Sequence, residues 1–409
     1  MCHEDAEAWR KARTLVRFRA CSAPIVPGVP SAGSSPWERM GKDRERYASC
    51  FRAAVANDFR VPRRGTEVRM KSATQTAPAK LILLGEHAVV YGQPAIAVPL
   101  KRLCAEATVA PTACDEPVSV LLEDFERHSG QMLEQPGAGV WGTSFRIPPG
   151  VEMVSPDFLA SPEAAPFIRL LELATAGSQI PRKGWRLQVR SRIPIGCGLG
   201  SSAAVCAASF RAIYAAFDLA FTPQQLAERV YETERILHGT PSGIDNTVIA
   251  LEQPVVFQRG ADLELLRMPA ADAFLVVGYS GIRHRTREVV GDVRAAWEAD
   301  RAAFDRIFDE VGRGSRAGAQ AIETGDWKQL GELMDRNQAL LERMGVSCGE
   351  LEALIVAARK AGALGAKLSG AGRGGCMVAL AANAEDAGRI KTALERAGAK
   401  MCIVSGMAR

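Results

Sequence analysis

The sequence predicts two α+β domains joined near residues 250–260. Apolar runs of strand length and segments of helical length are mixed along the chain without strict alternation, which argues against a regular βαβ fold. The texture changes near residue 255, from strands and medium helices to a block of long helices followed by strands. The chain has 409 residues, enough for two cores of ordinary size.

The elements follow in order. Residues 1–69 hold 14 basic and 8 acidic residues, are rich in Arg, Pro, Gly and Ser, and keep no apolar period. Disorder is the expectation for such a segment, and Glu4, Asp5 and Glu7 argue against an Arg-rich transit peptide. We assign 1–71 as a disordered, dispensable leader, 72–255 as the N-terminal domain and 256–409 as the C-terminal domain. "KLILLGEHAVVYG" reads as a strand, a Gly turn and a second apolar run. "AIAVPL", "LCAEATVA" and "WRLQVRSRI" read as strands. "SSAAVCAASFRAIYAAF" has helical spacing, as does "TPQQLAERVYETERIL", which opens on a Thr-Pro start signal. Beyond "AFLVVGYS", helices are predicted over 289–311, 315–323, 326–343 and 349–361. The strands "AKLS", "CMVALA" and "AKMCIVS" close the chain.

Composition narrows the function classes. Hydrophobic residues make up 47% and charged residues 24%, ordinary values for a globular enzyme. No apolar run approaches the length of a membrane span, so a soluble, cytoplasmic protein is expected, with no membrane partner. The net charge of +5 sits in the first 69 residues. The remainder is near neutral, which leaves no electrostatic footprint for nucleic acid. The ten cysteines form no C-x-x-C pair, and several lie in apolar runs. They read as buried free thiols in a reducing compartment. Five histidines without paired spacing give no zinc pattern.

Three glycine-rich or acidic segments carry the chemistry. "IPIGCGLGSSAAV", residues 193–205, leads into a predicted helix. Gly196, Gly198 and Gly200 let the backbone approach a ligand closely. Serine is a favoured N-cap, and a helix start offers unpaired N–H groups and a positive dipole end. The segment is either a phosphate cradle or a tight strand-to-helix turn. "GAGRGG", residues 370–375, matches G-x-G-x-x-G, but a strand follows it where a dinucleotide fold needs a helix. It reads as a sharp turn close to a ligand or to another backbone. "ERILHGTPSGIDN", residues 234–246, places Glu234 and Asp245 on either side of turn chemistry. Taken singly, each is a surface charge or a cap; together they can converge on one pocket. No Walker loop is present.

Together these segments resemble the galactokinase, homoserine kinase, mevalonate kinase and phosphomevalonate kinase superfamily. That family's loop reads P-x-x-x-G-L-G-S-S-A. Pro194, Gly198, Leu199, Gly200, Ser201, Ser202 and Ala203 fit every fixed position. The motif order is also kept: "APAKLILLGEHAVVYG", the loop, then "KLSGAGRGGCMVAL". The resemblance covers roughly residues 76–409. "GEHAVVYGQPAIAVPL" and "ERILHGTPSGIDN" are similar to the mevalonate kinase branch. Two departures stand out: Arg373 where many members carry glycine, and Arg287 where lysine is common.

The resemblance implies a two-domain small-molecule kinase fold. Its N-terminal domain would be like domain 2 of ribosomal protein S5, its C-terminal domain ferredoxin-like, with the active site in the cleft between them. It implies transfer of the ATP γ-phosphoryl group to the 5-hydroxyl of mevalonate. Pro194, Gly196, Gly198, Leu199, Gly200, Ser201, Ser202 and Ala203 would bind ATP, and Ser202 and Glu234 would hold Mg²⁺. Asp245 would take the hydroxyl proton, with Lys80 beside it in place of the lysine missing from the loop. Glu86, His87, Thr286, Gly370 and Gly372 would contact the substrates, with Ser369 and Gly374 nearby; His87 is equally read as a structural histidine. A homodimer is the assembly the family suggests. Two other readings stay open: a superfamily kinase with another acceptor, such as phosphomevalonate met by Arg283, Arg285 and Arg287, or a non-catalytic nucleotide sensor.

Overall fold

Two sheets organise the chain. A computed structural model describes residues 70–116, 118–122, 143–146, 165–176, 178–238, 241–269, 273–282 and 286–407. The expected leader lies outside the described residues except at its last two positions, and Arg283 and Arg285 lie outside them as well.

The first sheet grows from two long antiparallel strands, β1 (Ala73–Leu84) and β2 (Ala95–Pro111). "AIAVPL" and "LCAEATVA", expected as separate strands, are one continuous strand. The charged Lys101 and Arg102 between them are exposed on its surface and do not interrupt the ladder. Around this pair stand β3 (Ser119–Leu122), β4 (Thr143–Arg146), β5 (Trp185–Ser191), β6 (Val255–Phe257) and β7 (Glu264–Leu265). The strand order is β4-β3-β5-β2-β6-β7, with β1 also paired to β2. One register shift in β1 falls between Pro78 and Ala79, one residue before Lys80; a proline cannot donate to the ladder. The apolar "HAVVYG" run is not a strand: Ala88–Tyr91 forms a short 3₁₀ turn.

Among the described residues, four helices belong to this half: α1 (Ala165–Thr175), α2 (Ser201–Ala216), α3 (Pro223–His238) and α4 (Ile244–Leu251). Helix α2 is buried along most of its length, as its run of Ala, Val, Cys and Phe demands. Pro223 occupies the first helical position of α3, where its missing N–H costs nothing.

The second sheet contains β8 (Phe274–Tyr279), β9 (Gly365–Ser369), β10 (Cys376–Ala381) and β11 (Met401–Gly406), in the order β11-β8-β10-β9 and wholly antiparallel. Between β8 and β9 run α5 (Thr286–Ala299), α6 (Arg301–Thr324), α7 (Trp327–Arg343) and α8 (Gly349–Lys360). Helix α9 (Ala384–Arg396) joins β10 to β11. A strand, a helical block, two strands, a helix and a last strand make the β-α-β-β-α-β ferredoxin-like pattern.

The helix breaks differ from the sequence reading, which placed one after residue 311. Helix α6 runs through Gly312 and Gly314 and begins instead at Asp300. Gly312 is not a breaker here. It is the point where the helix presses on Gln93, whose side chain would collide with any added Cβ. Asp300 starts the helix because its carboxylate accepts the Ala303 N–H at 3.0 Å, which satisfies an otherwise orphaned donor. Asp300→Ala should therefore lower stability by about 1 kcal/mol. Chemical denaturation checks this, and an unchanged midpoint would show that the cap carries no weight.

Candidate active site

Lys80 is set by β1 and by the loop that crosses it. Its backbone N–H donates to the Leu199 carbonyl at 3.0 Å, so the loop over residues 193–200 docks on β1 like a short extra strand. The Lys80 stem then passes directly under Gly200. A Cβ on Gly200 would lie 2.9 Å from Lys80 Cγ and 3.1 Å from Ile249 Cδ1. Gly200 also has φ +71°, a left-handed conformation that glycine adopts without steric cost. Both facts require glycine here.

Gly200, and not a serine, is the N-cap of α2, and no side chain bonds the cap. The expected serine cap is thus corrected: the left-handed turn needed at this position excludes a serine. The two hydroxyls are put to other uses. Ser201 Oγ donates to the Ile193 carbonyl at 3.1 Å and closes the loop on itself. Ser202, in the first turn, stands beside Glu234 from α3 and draws its carboxyl down. The uncapped start of α2 leaves main-chain N–H groups and a positive dipole end facing the loop, a ready anion site.

Lys80 Nζ reaches Asp245 Oδ1 at 2.8 Å. Asp245 stands in the first turn of α4, after the turn at Gly243. The lysine side chain is 5% exposed and the aspartate 32%, so the pair is buried on its lysine side and open on its carboxylate side. The two acids that flank the "HGTPSG" turn do converge. Burial pushes the Glu234 carboxyl up to about 7, helped by the Asp245 charge and opposed by Ser202 and by Lys80. A cationic lysine, two carboxylates and a hydroxyl from four different elements therefore meet beside the uncapped start of α2.

The donor set of Ser202 and Glu234 fits a hard divalent cation. A neighbouring hydroxyl and carboxylate are oxygen ligands of the kind such ions take. No cluster of three or more His, Cys, Asp or Glu is found among the described residues. A cation that takes few protein ligands and completes its shell with phosphate and water matches this arrangement better than an all-protein cage.

The third glycine motif touches the first. A Cβ on Gly370 would lie 3.1 Å from the Gly198 Cα, so the two loops meet backbone to backbone. Beside them Ser369 Oγ donates to the Ile82 carbonyl at 3.0 Å and accepts the Ile82 N–H at 3.3 Å. Ser369 thereby stitches β9 to β1. Gly372 packs against the Val346 carbonyl. Arg373 departs from glycine yet keeps the left-handed turn, at φ +55°. It pays for this strain with an ion pair to Asp292 on α5 and a hydrogen bond to the Gly345 carbonyl at 3.2 Å.

The remaining expected contacts are placed as follows. Glu86 is 1% exposed and ion-pairs with Lys367 of β9, while Asn337 Nδ2 donates to its second oxygen at 3.4 Å. It faces the interior instead of open solvent. Burial pushes the Glu86 carboxyl up and the Lys367 ammonium down, and their mutual attraction opposes both shifts. His87, at φ +59°, has Nε2 2.9 Å from the Ala371 carbonyl, a contact that joins the first motif to the third. Thr286 opens α5 and is exposed. Lys367 and Asn337 had no part in the sequence reading. A lysine within the otherwise apolar "GAKLS" strand was the available signal for the first, and nothing marked Asn337.

Comparison with known proteins gives the family. The model of the GHMP kinase N-terminal domain matches residues 167–253, and that of the GHMP kinase C-terminal domain matches 319–400. The chain belongs to the GHMP kinases, a family of small-molecule phosphotransferases. The mevalonate kinase of Thermococcus sibiricus is 35% identical over 339 residues, 82% of this chain and 96% of that protein. The mevalonate kinase of Pyrococcus abyssi is 34% identical over 329 residues, 79% and 92% of the two chains. The crystal structure of L. major mevalonate kinase in complex with R-mevalonate superposes with a TM-score of 0.64 at 27% identity, covering 83% of this chain and 97% of that one. Among the described residues no helix is long and apolar enough to cross a membrane.

The raised Glu234 pKa gives a signed test. A carboxyl that holds its proton more tightly when folded stabilises the fold below its unfolded pKa and loses that contribution as pH rises through the folded value. For Glu234 the window runs from 4.5 to about 7. In metal-free protein, Glu234→Gln should change little near the acid end and stabilise the fold at about pH 8, by up to roughly 3 kcal/mol. Denaturant titrations at both pH values read this, and an equal effect at both would contradict it.

Proposed function

We propose that the protein is an ATP-dependent mevalonate kinase, which phosphorylates the 5-hydroxyl of mevalonate. The single observation behind this reading is the Lys80–Asp245 pair at 2.8 Å, standing beside the uncapped start of α2 in a chain one-third identical to mevalonate kinases over most of its length. A phosphate-binding module has no need of an acid–base pair at that place.

Phosphoryl transfer asks mainly for alignment and for neutralised charge. The main-chain N–H groups of 196–202 hold the β- and γ-phosphates, and Pro194, Leu199 and Ala203 shape that loop. Asp245 accepts the proton of the attacking hydroxyl through its partly exposed carboxylate. The Lys80 ammonium stabilises negative charge as it develops on the hydroxyl oxygen. Because β1 and α4 are separate elements fixed to one core, the pair is held before the substrate arrives, and little reorganisation is left to the reaction step. Ser202 and Glu234 hold Mg²⁺, which offsets phosphate charge when bound. Gly370 and Gly372 close the nucleotide side. Glu86 and His87 act through packing, by fixing the turn after β1. The exposed Thr286 is left to meet the acceptor. The setting is the cytoplasm, where the unpaired thiols stay reduced.

Asp245→Asn should lower kcat by about 10²–10⁴-fold with little change in Mg·ATP binding. A coupled ADP-release assay with mevalonate, phosphomevalonate, galactose and homoserine checks both the base and the acceptor. Turnover confined to mevalonate supports the proposal. Turnover on another acceptor, or near-full activity of the Asn variant, would overturn it, and ADP release with none of the four would point to a sensor.

A further inference from the structure

Two buried thiols that the proposed mechanism does not use lie across the seam between the loops. Cys197 sits inside the phosphate loop, its Sγ 2.9 Å from the Pro194 carbonyl. Cys376 is the first residue of β10, directly across the ladder from Ser369. The backbones of these two segments meet at Gly198 and Gly370, and the two side chains belong to the same apolar cluster. Each thiol lies within electrostatic reach of the other, and both are free thiols.

The geometry points to a modification site: a hydroperoxide closes Cys197 and Cys376 to a disulfide that ties the phosphate loop to the C-terminal sheet and reversibly stops the kinase.

The two sulfurs differ in character. Its neighbour Cys376 draws the Cys197 thiol down, with help from the charge of Lys80, while Cys197 and burial hold the Cys376 thiol up. Cys197 is thus the nucleophile and Cys376 the resolving thiol. The Cys197 sulfur attacks a peroxide oxygen, the O–O bond breaks, and a sulfenic acid and one water form. The Cys376 sulfur then attacks the sulfenic sulfur, the S–S bond forms, the S–O bond breaks and a second water leaves. In sum, two thiols and one hydrogen peroxide give one disulfide and two waters; sulfur is oxidised and peroxide oxygen reduced. A covalent S–S bond fixes the loop to β10 where two separate thiols leave it free to adjust. Displacement of its amides by about 1 Å is enough to cost on the order of 10²-fold in rate.

The test treats the full-length protein with excess hydrogen peroxide, caps the remaining thiols and maps peptides without reduction. A cross-linked peptide pair joining Cys197 to Cys376, with activity lost at least about tenfold and regained in dithiothreitol, is the expected result. Cys376→Ser should keep basal turnover and resist the same dose, and Cys197→Ala should abolish the cross-link. Loss of activity with both thiols still capped would overturn the inference. So would a cross-link from Cys376 to Cys402, or a Cys376→Ser variant as sensitive as the parent. The peptide map does not depend on which acceptor is phosphorylated, so its failure is distinct from failure of the functional reading.

Discussion

A buried lysine beneath a glycine is the constraint from which the site follows. Lys80 can reach Asp245 only because Gly200 leaves its stem a path and because the Leu199 carbonyl takes the Lys80 N–H. One small residue therefore does two tasks. It starts α2 without a side-chain cap, so that the helix keeps its anion-binding end open, and it admits the cation that the loop itself lacks. A Walker-type loop carries its lysine in the motif. Here the same charge is delivered sideways from a strand, and the precision of that delivery rests on the β1–β2 ladder.

The second constraint is the seam between the two sheets. It is made of backbone meeting backbone at Gly198 and Gly370, a serine hydroxyl shared with β1, a histidine on a carbonyl, and an ion pair sealed from water. Removing one member of such a pair leaves a buried charge, at a cost of about 3–5 kcal/mol, so Glu86 and Lys367 depend on each other strictly. The seam places the third glycine motif over the phosphate loop, and it is also what brings two thiols from distant parts of the chain close together.

Much of this was legible in the sequence, and the reasons are local. The glycine loop, the two acids and Lys80 lie in motifs that the structure brings together at one place. The α+β class and the two-sheet division followed from apolar period. What escaped were features set by tertiary contact. Lys101 and Arg102 look like a strand end but sit on the exposed face of one long strand. Gly312 looks like a helix breaker but marks a close approach to Gln93. Ser201 looks like a cap, yet the chain's left-handed turn moved that duty to Gly200. The ion-pair partner of Glu86, Lys367, lies on the far sheet, where no spacing rule could connect them.

The central claim is that an acceptor hydroxyl sits between Asp245 and the terminal phosphate, with Lys80 at its side. A crystal structure of the protein with Mg²⁺, a non-hydrolysable ATP analogue and mevalonate tests it most directly. The expected result is the 5-hydroxyl oxygen within hydrogen-bond reach of Asp245 and in line with the γ-phosphorus, with the phosphates resting on the start of α2. A γ-phosphate bound away from that helix end, or a hydroxyl out of reach of both Asp245 and Lys80, would contradict it.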